Sequence, residues 1–250
     1  MILKVIQTGS AGNCYVLRSS SGESLLIECG VRIEAIKQAV HFDFSKVVGC
    51  LVTHQHQDHC KGINALIGCG VDVFALQETH EALDTISSHR AKAFETNEGT
   101  LLTHQIGGFK VLPFKVKHDV PTVGFLIQHK ECGKVLFITD SYYCPFKFKG
   151  LNNIIVEANY SKKIIDKKYG PESEKFFLHN RILKSHMSLE TCCDMLRAND
   201  ITAVNNIVLI HLSDTNSDER MFKKEVEDLT GKNVSVAYNG MNVVMDVTPF

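Results

Sequence analysis

A chain of 250 residues, 44% of them hydrophobic and 22% charged, has ordinary globular composition and enough apolar material to bury a sizeable core. Its formal net charge of −1 excludes a polyelectrolyte binder, so any attraction to nucleic acid must come from a local patch. No apolar run approaches the roughly 18 residues of a membrane span, and the opening MILKVIQTGSAGNC turns polar too soon for a signal peptide; no membrane partner and a cytoplasmic location are expected.

In chain order, short apolar and β-branched runs predict strands at ILKVIQT, CYVLRS, SLLIECG, KVVGCLVT, VDVFAL, FKVLPFKV, VGFLIQH, KVLFITD, NIIVEA, NNIVLIHL, VSVAYN and NVVMDV. Helical spacing alternates with them at RIEAIKQAV, CKGINALIG, THEALDTISSH, SLETCCDMLRAND and DERMFKKEVEDLTG. Strand-rich opening and closing parts with interleaved helices predict an α/β fold: two mixed sheets packed together with helices outside, a four-layer αββα sandwich. No low-complexity linker and no short repeat divides the chain, so one domain over residues 1–250 is expected. The 9 cysteines are odd in number and form no C-x-x-C pair, which fits buried free thiols in a reducing compartment.

One stretch stands apart. From Ser161 to His186 the chain carries Lys162, Lys163, Lys167, Lys168, Lys175, Arg181 and Lys184 against Asp166, Glu172 and Glu174. A surface for phosphates is one reading, and a solvated helical face is the other.

The chemistry concentrates at CLVTHQHQDHCKGI, which packs His54, His56, Asp58 and His59 into six positions at a strand-to-helix turn. His54 and His56, two apart on extended backbone, project to one side, and Asp58 and His59 fan out as the helix begins. Imidazole and carboxylate are ligands that zinc, manganese and iron accept. With only 12 His in the chain, three beside an Asp do not fit a surface loop that is His-rich by accident. Four ligands cannot complete two metal sites, so others must come from distant strand ends: His118 after LPFKVK, Asp140 after KVLFIT and His211 after NNIVLI.

The ordered set His54, His56, Asp58, His59, His118, Asp140, His211 resembles that of metallo-β-lactamase-fold hydrolases across nearly the whole chain. The resemblance implies that His54, His56 and His118 hold one metal, that Asp58, His59 and His211 hold a second, and that Asp140 bridges. Two divalent ions, zinc or manganese with iron as third candidate, are the implied cofactors, and the water they share would attack as hydroxide. GSAGNCYVL, LIECG, VEANY and IHLSD are similar to the YycJ (VicX, WalJ) group, metal-dependent nucleases related to PhnP phosphodiesterases and tRNase Z. This chain departs from the group at Glu28, where Asp is usual, at Tyr160, where His is usual, and at Leu189, where Asn is usual.

The resemblance implies a phosphodiesterase or nuclease. Asp58 and Asp140 would serve the chemistry at the metals, and His186 in SHMS would protonate the departing oxygen. Ser188, Tyr142, Tyr143, Tyr160, Lys162 and Lys163 are candidate substrate contacts, the tyrosines stacking on bases and the lysines meeting phosphates. Tyr142 and Tyr143 follow Asp140 and are expected at the mouth of the site, with aromatic core packing as the alternative. Nucleic acid or a small phosphodiester is the expected partner, and a homodimer is allowed. Two rivals stay open: a glyoxalase-type thioester hydrolase and a non-catalytic binding module that uses metal for stability. GSAGNC either covers the site or is a plain hairpin turn, and Cys60 is expected to be buried and inert.

Overall fold

The computed structural model describes residues 1–169 and 176–248, with side chains from His179 onward in the helix that opens at residue 176. The chain enters through β1 (Ile2–Gln7), β2 (Cys14–Arg18) and β3 (Ser24–Ile27), crosses through α1 (Ile33–Ala39) and returns as β4 (Val47–Leu51). Two short helices, α2 (Gln57–Cys60) and α3 (Ile63–Gly68), lead to β5 (Val73–Ala75), α4 (Gln77–Ala82) and β6 (Ala91–Ala93). The hairpin β7 (Thr96–Asn97) and β8 (Thr100–Leu101) precedes β9 (His104–Ile106), β10 (Phe109–Val116), β11 (Thr122–His129), β12 (Gly133–Ile138) and β13 (Asn153–Glu157). Three helices follow, α5 (Lys162–Tyr169), α6 (Phe176–Ser185) and α7 (Leu189–Ala198). The described chain ends with β14 (Asn206–Ile210), α8 (Glu219–Thr230), β15 (Asn233–Val236) and β16 (Asn242–Val244).

Among the described residues the strands form two seven-stranded sheets, ordered β16-β1-β2-β3-β4-β5-β6 and β15-β14-β13-β12-β11-β10-β9, beside the β7–β8 pair. Each sheet is mixed. Pairing is parallel from β3 to β6 and from β12 to β15, and antiparallel elsewhere.

Side-chain alternation explains the layering. Leu25 and Ile27 of β3 face Phe125, Phe137 and Ile155 of the other sheet, while Leu26 between them faces Ile36 and Leu66 of the helices outside. On the second sheet, Ile155 faces inward and Ile154 and Val156 face Leu196 of α7 and Phe222 of α8. Each such fully buried side chain contributes about 1.5–3 kcal/mol, so both faces of both sheets must be covered. Four layers, αββα, result. Pro113 sits within β10 without breaking it, because β9 pairs only as far as Val111 and leaves that side of Pro113 without a ladder.

The twelve expected strands are present, and so are the expected helices, except that only residues 79–82 of THEALDTISSH are helical, as the end of α4, and turns follow. The structure adds β6 to β9, each two or three residues long, and makes helices of the basic stretch on either side of residues 170–175. Glu172, Glu174 and Lys175 lie outside the described residues. All nine cysteines are free. Cys14, Cys29, Cys50 and Cys60 pack in the layer outside the first sheet, Cys144, Cys192 and Cys193 in the layer outside the second, and Cys132 between the sheets; Cys69 is partly exposed.

Candidate metal centre

The His-rich turn grows directly from the end of β4. His56 is extended, with φ −66° and ψ 142°, and stands at the N-cap of α2, so Asp58 and His59 lie in the first turn of a helix that opens earlier than expected. Three close approaches hold this turn. A Cβ on Gly30 would stand 1.7 Å from the Asp58 carbonyl oxygen, so only glycine fits there. Asn13 N–H donates to that carbonyl at 2.7 Å, and Cys29 N–H donates to the His59 carbonyl at 2.8 Å. GSAGNC therefore buttresses the cluster through Asn13, while Ser10 lines the cavity above it.

The second sheet supplies the rest from four separate ends. His118 follows β10, Asp140 follows β12, His211 follows β14, and Glu157 is the last residue of β13. Asp140 (φ 46°) and His211 (φ 54°), with Glu28 (φ 64°) behind the first half, adopt left-handed backbone. That conformation costs about 1–2 kcal/mol for a residue with a Cβ, and here it turns each side chain toward the centre as its strand ends.

The donor atoms converge in three groups, each within 4.8 Å: His54, His56, His118 and Asp140; Asp58, His59, Asp140 and His211; and Asp140, Glu157, His186 and His211. Asp140 belongs to all three. In the first group His54 Nε2 lies 3.0 Å from His56 Nδ1, which is 3.3 Å from His118 Nε2. His118 Nδ1 donates to the Ser185 carbonyl at 2.8 Å, which fixes the tautomer and leaves the Nε2 lone pair toward the group. In the second, Asp140 Oδ2 is 2.8 Å from His59 Nε2, and Glu28 Oε1 stands 3.5 Å behind that ring at Nδ1. Asp140 Oδ1, although 2.5 Å from His211 Nδ1, makes no directed hydrogen bond, and buried His211 Nε2 has no partner either.

Converging lone pairs and unpartnered buried donors are what a cation-binding site requires. The residues present fit divalent cations: the first group could hold one and the second another, with Asp140 common to both.

The electrostatics agree. Burial would raise the Asp140 carboxyl, but the His211 and His59 charges outweigh it and hold it well below its ordinary range. Burial would lower His59 and His211, yet the surrounding carboxylates win: Asp140 and Glu28 lift His59 well above its ordinary value, and Asp140 with Glu157 lifts His211 to about 9. Those imidazolium protons neutralise buried carboxylates as a cation would. His54 and His118, where burial dominates, are held low and stay neutral. Burial also opposes charge on His186, but Glu157 and Asp140 lift it to about 10.

A cavity of about 480 Å³ opens over these groups, walled by the turn on one side and by Arg181, Ile182, Ser185 and His186 on another. His186 Nδ1 meets Glu157 Oε1 at 2.8 Å, which leaves Nε2 to the cavity.

The structure thus brings all seven expected metal ligands and His186 together, but it separates the expected substrate contacts from them. Tyr160 is buried at 2% exposure, so its ring cannot stack on a base. Ser188 is equally buried and caps α7 by accepting from Thr191 N–H; its residue pairs with Tyr160 in an isolated bridge. Both are structural because the two ends of the connection from β13 to α7, residues 158–161 and 187–189, are buried side by side. Leu189, the third departure, opens α7 from the same interior. Tyr142 and Tyr143 are exposed but line a different cavity of about 400 Å³, with Phe146 and residues of α7. Lys162 and Lys163 are exposed at the start of α5, and neither lines the metal-facing cavity. Cys60 behaves as expected: its Sγ donates to the Gln55 and His56 carbonyls, and burial pushes its thiol up to about 12.

Sequence reasoning passed over Glu157, Asn13, Asp119 and the position of Arg181. Asp119 Oδ1 lies 3.0 Å from His118 Nε2 and 3.6 Å from His56 Nε2 at the cavity rim. Only its adjacency to His118 could have marked it.

Comparison with known proteins agrees with this picture. The chain is 29% identical over 250 residues to exodeoxyribonuclease YycJ of Bacillus anthracis, covering 94% of this chain and 92% of that protein. It is 24% identical to exodeoxyribonuclease WalJ of Streptococcus pneumoniae, over 85% of this chain and 82% of the relative. The crystal structure of the metallo-β-lactamase fold protein YhfI from Bacillus subtilis superposes with a TM-score of 0.71 at 17% identity, covering 97% and 98% of the two chains. The family model of the beta-lactamase superfamily domain matches residues 24–212, from β3 through His211. The chain belongs to that superfamily, and it is a hydrolase of the metallo-β-lactamase fold.

Proposed function

We propose that the protein is a divalent-metal-dependent phosphodiesterase that removes nucleotides from DNA. The observation that carries this reading is His186: an imidazole backed by a buried carboxylate, in the cavity wall beside the ligand set but outside the two ligand groups assigned to metals. Full-length similarity to proteins named exodeoxyribonucleases supports the same substrate.

Bound divalent ions would supply Lewis acidity, neutralising phosphate charge and lowering the pKa of water. The chain's residues do the rest. Asp140 joins the two ligand groups and fixes their separation. Glu157 holds His186 through Nδ1 and keeps it protonated, so that Nε2 can donate to the departing sugar oxygen, a poor leaving group as an alkoxide. Glu28 and the Ser185 carbonyl orient His59 and His118 from behind.

Turnover of single-stranded and double-stranded DNA, RNA, bis(p-nitrophenyl) phosphate and an acyl-glutathione, with and without chelator, tests the reading. Chelator-sensitive release of nucleotides from DNA is the expected result. Rapid acyl-glutathione hydrolysis with no diester cleavage would replace it by a thioesterase, and metal uptake with no turnover by a binding module.

A further inference from the structure

Among the described residues that line the metal-facing cavity, Arg181 is the one side chain with a permanent positive charge; the carboxylates of Asp58, Asp119 and Asp140 share the lining. Arg181 and Ser185 are four apart on α6 and so share a helix face, and the Ser185 carbonyl is tied to His118 at 2.8 Å. The face that carries Arg181 is therefore fixed against the ligand set. The guanidinium has no ion pair or hydrogen bond among the described residues. The other cations of the basic stretch that are described, such as Lys162 and Lys163, lie outside the cavity.

His186 continues the helical step, its N–H donating to the Ile182 carbonyl at 3.1 Å. Arg181 within α6 and His186 just past its end line the same cavity, so a cation stands in the wall that carries the group facing the leaving oxygen. We propose that Arg181 grips the phosphate next to the scissile one, making the protein selective for substrates with at least two phosphates. A guanidinium suits this role because it stays charged and offers a planar fork to two phosphate oxygens. This inference rests on the phosphodiesterase reading and specifies which substrates it takes.

The test compares kcat/KM for the dinucleotide dTdT, for pdTdT and dTdTp with one added terminal phosphate, and for bis(p-nitrophenyl) phosphate. Wild-type protein should prefer one of the doubly phosphorylated dinucleotides over dTdT by about 10- to 100-fold, chiefly through KM. Arg181→Gln should abolish that preference and Arg181→Lys should retain part of it. Arg181 is exposed, so both variants should fold. A preference that survives Arg181→Gln overturns the inference. So does a wild type that cleaves dTdT without any preference, or an equal loss on all four substrates, which would put Arg181 on the scissile phosphate itself. Wild-type protein that cleaves none of the four, with its metals bound, removes the phosphodiesterase reading and this inference together.

Discussion

His54, His56, Asp58 and His59 reach the centre from six consecutive positions at one strand end, whereas His118, Asp140, His186 and His211 arrive from separate elements of the second sheet and its helices. The first half is a local structure. Gly30, Asn13 and Cys29 brace one turn, and little of the second sheet is needed to set its shape. The second half exists only when β10, β12, β14 and α6 are in register, and two of its residues are held in left-handed backbone. A contiguous motif supplies four of the seven candidate ligands, while a dispersed set supplies the other three, ties the two sheets together and brings in the proposed proton donor.

The sharpest way to break this comparison is at Asp140, where the halves meet. Asp140→Asn should keep the fold by circular dichroism yet lose at least about 10²-fold in turnover, beyond the range usual for groups that merely support a ligand. Near wild-type turnover with full metal content would show that Asp140 does not join the halves.

His186 tests whether the dispersed half carries the proton. His186→Ala should cost roughly 10²-fold or more on DNA and much less on a nitrophenyl diester, whose leaving group needs no proton. Glu157→Gln should follow the same substrate pattern at about 10- to 100-fold. Equal losses on both substrates would make His186 a phosphate contact.

Metal removal should sharpen the contrast. Elemental analysis should find close to two divalent ions per chain, and saturating them at 100 times Kd should stabilise the fold by about 2.7 kcal/mol per ion. Binding should also release protons and strengthen as pH rises toward about 9, where His211 without cations gives up its own. After chelation, backbone exchange should accelerate more around Thr139–Ser141 and His211 than around His54–Cys60. The reverse order would mean that the contiguous turn is the half that depends on cations.

The smallest effect is expected at Ser188. Its cap on α7 is worth about 1 kcal/mol, so Ser188→Ala should lower thermal stability slightly and leave the ratio of activities on DNA and nitrophenyl diester where it was. A change confined to DNA would restore it as a substrate contact.

How much of this could be read in the sequence follows the same division. H-x-H-x-D-H declares itself because donor spacing within one turn is a property of the chain. His118, Asp140 and His211 were reachable because each is a polar residue at the end of an apolar run. Glu157 also ends such a run, but a lone carboxylate there looks like an ordinary strand end, and only β13 lying between β12 and β14 reveals its neighbours. Tyr160 misled because an amphipathic ring suits a rim and a core equally well, and the burial of residues 158–161 against Ser188 decided it. The basic stretch gave charge without direction. Of its described cations, Arg181 turns into the metal-facing cavity, and helix phase is set by packing that no local pattern encodes.

The placing of the nine thiols has a practical consequence. Every layer of the sandwich carries its own cysteines, and Cys69 alone is more than marginally accessible. A brief pulse of an alkylating reagent on folded protein should modify Cys69 and little else. Under mild denaturant, peptide mapping of the mass gained at Cys50, at Cys132 and at Cys192 would report separately on the first helical layer, the seam between the sheets and the second helical layer. The order in which the sandwich opens can therefore be followed without introducing any label site.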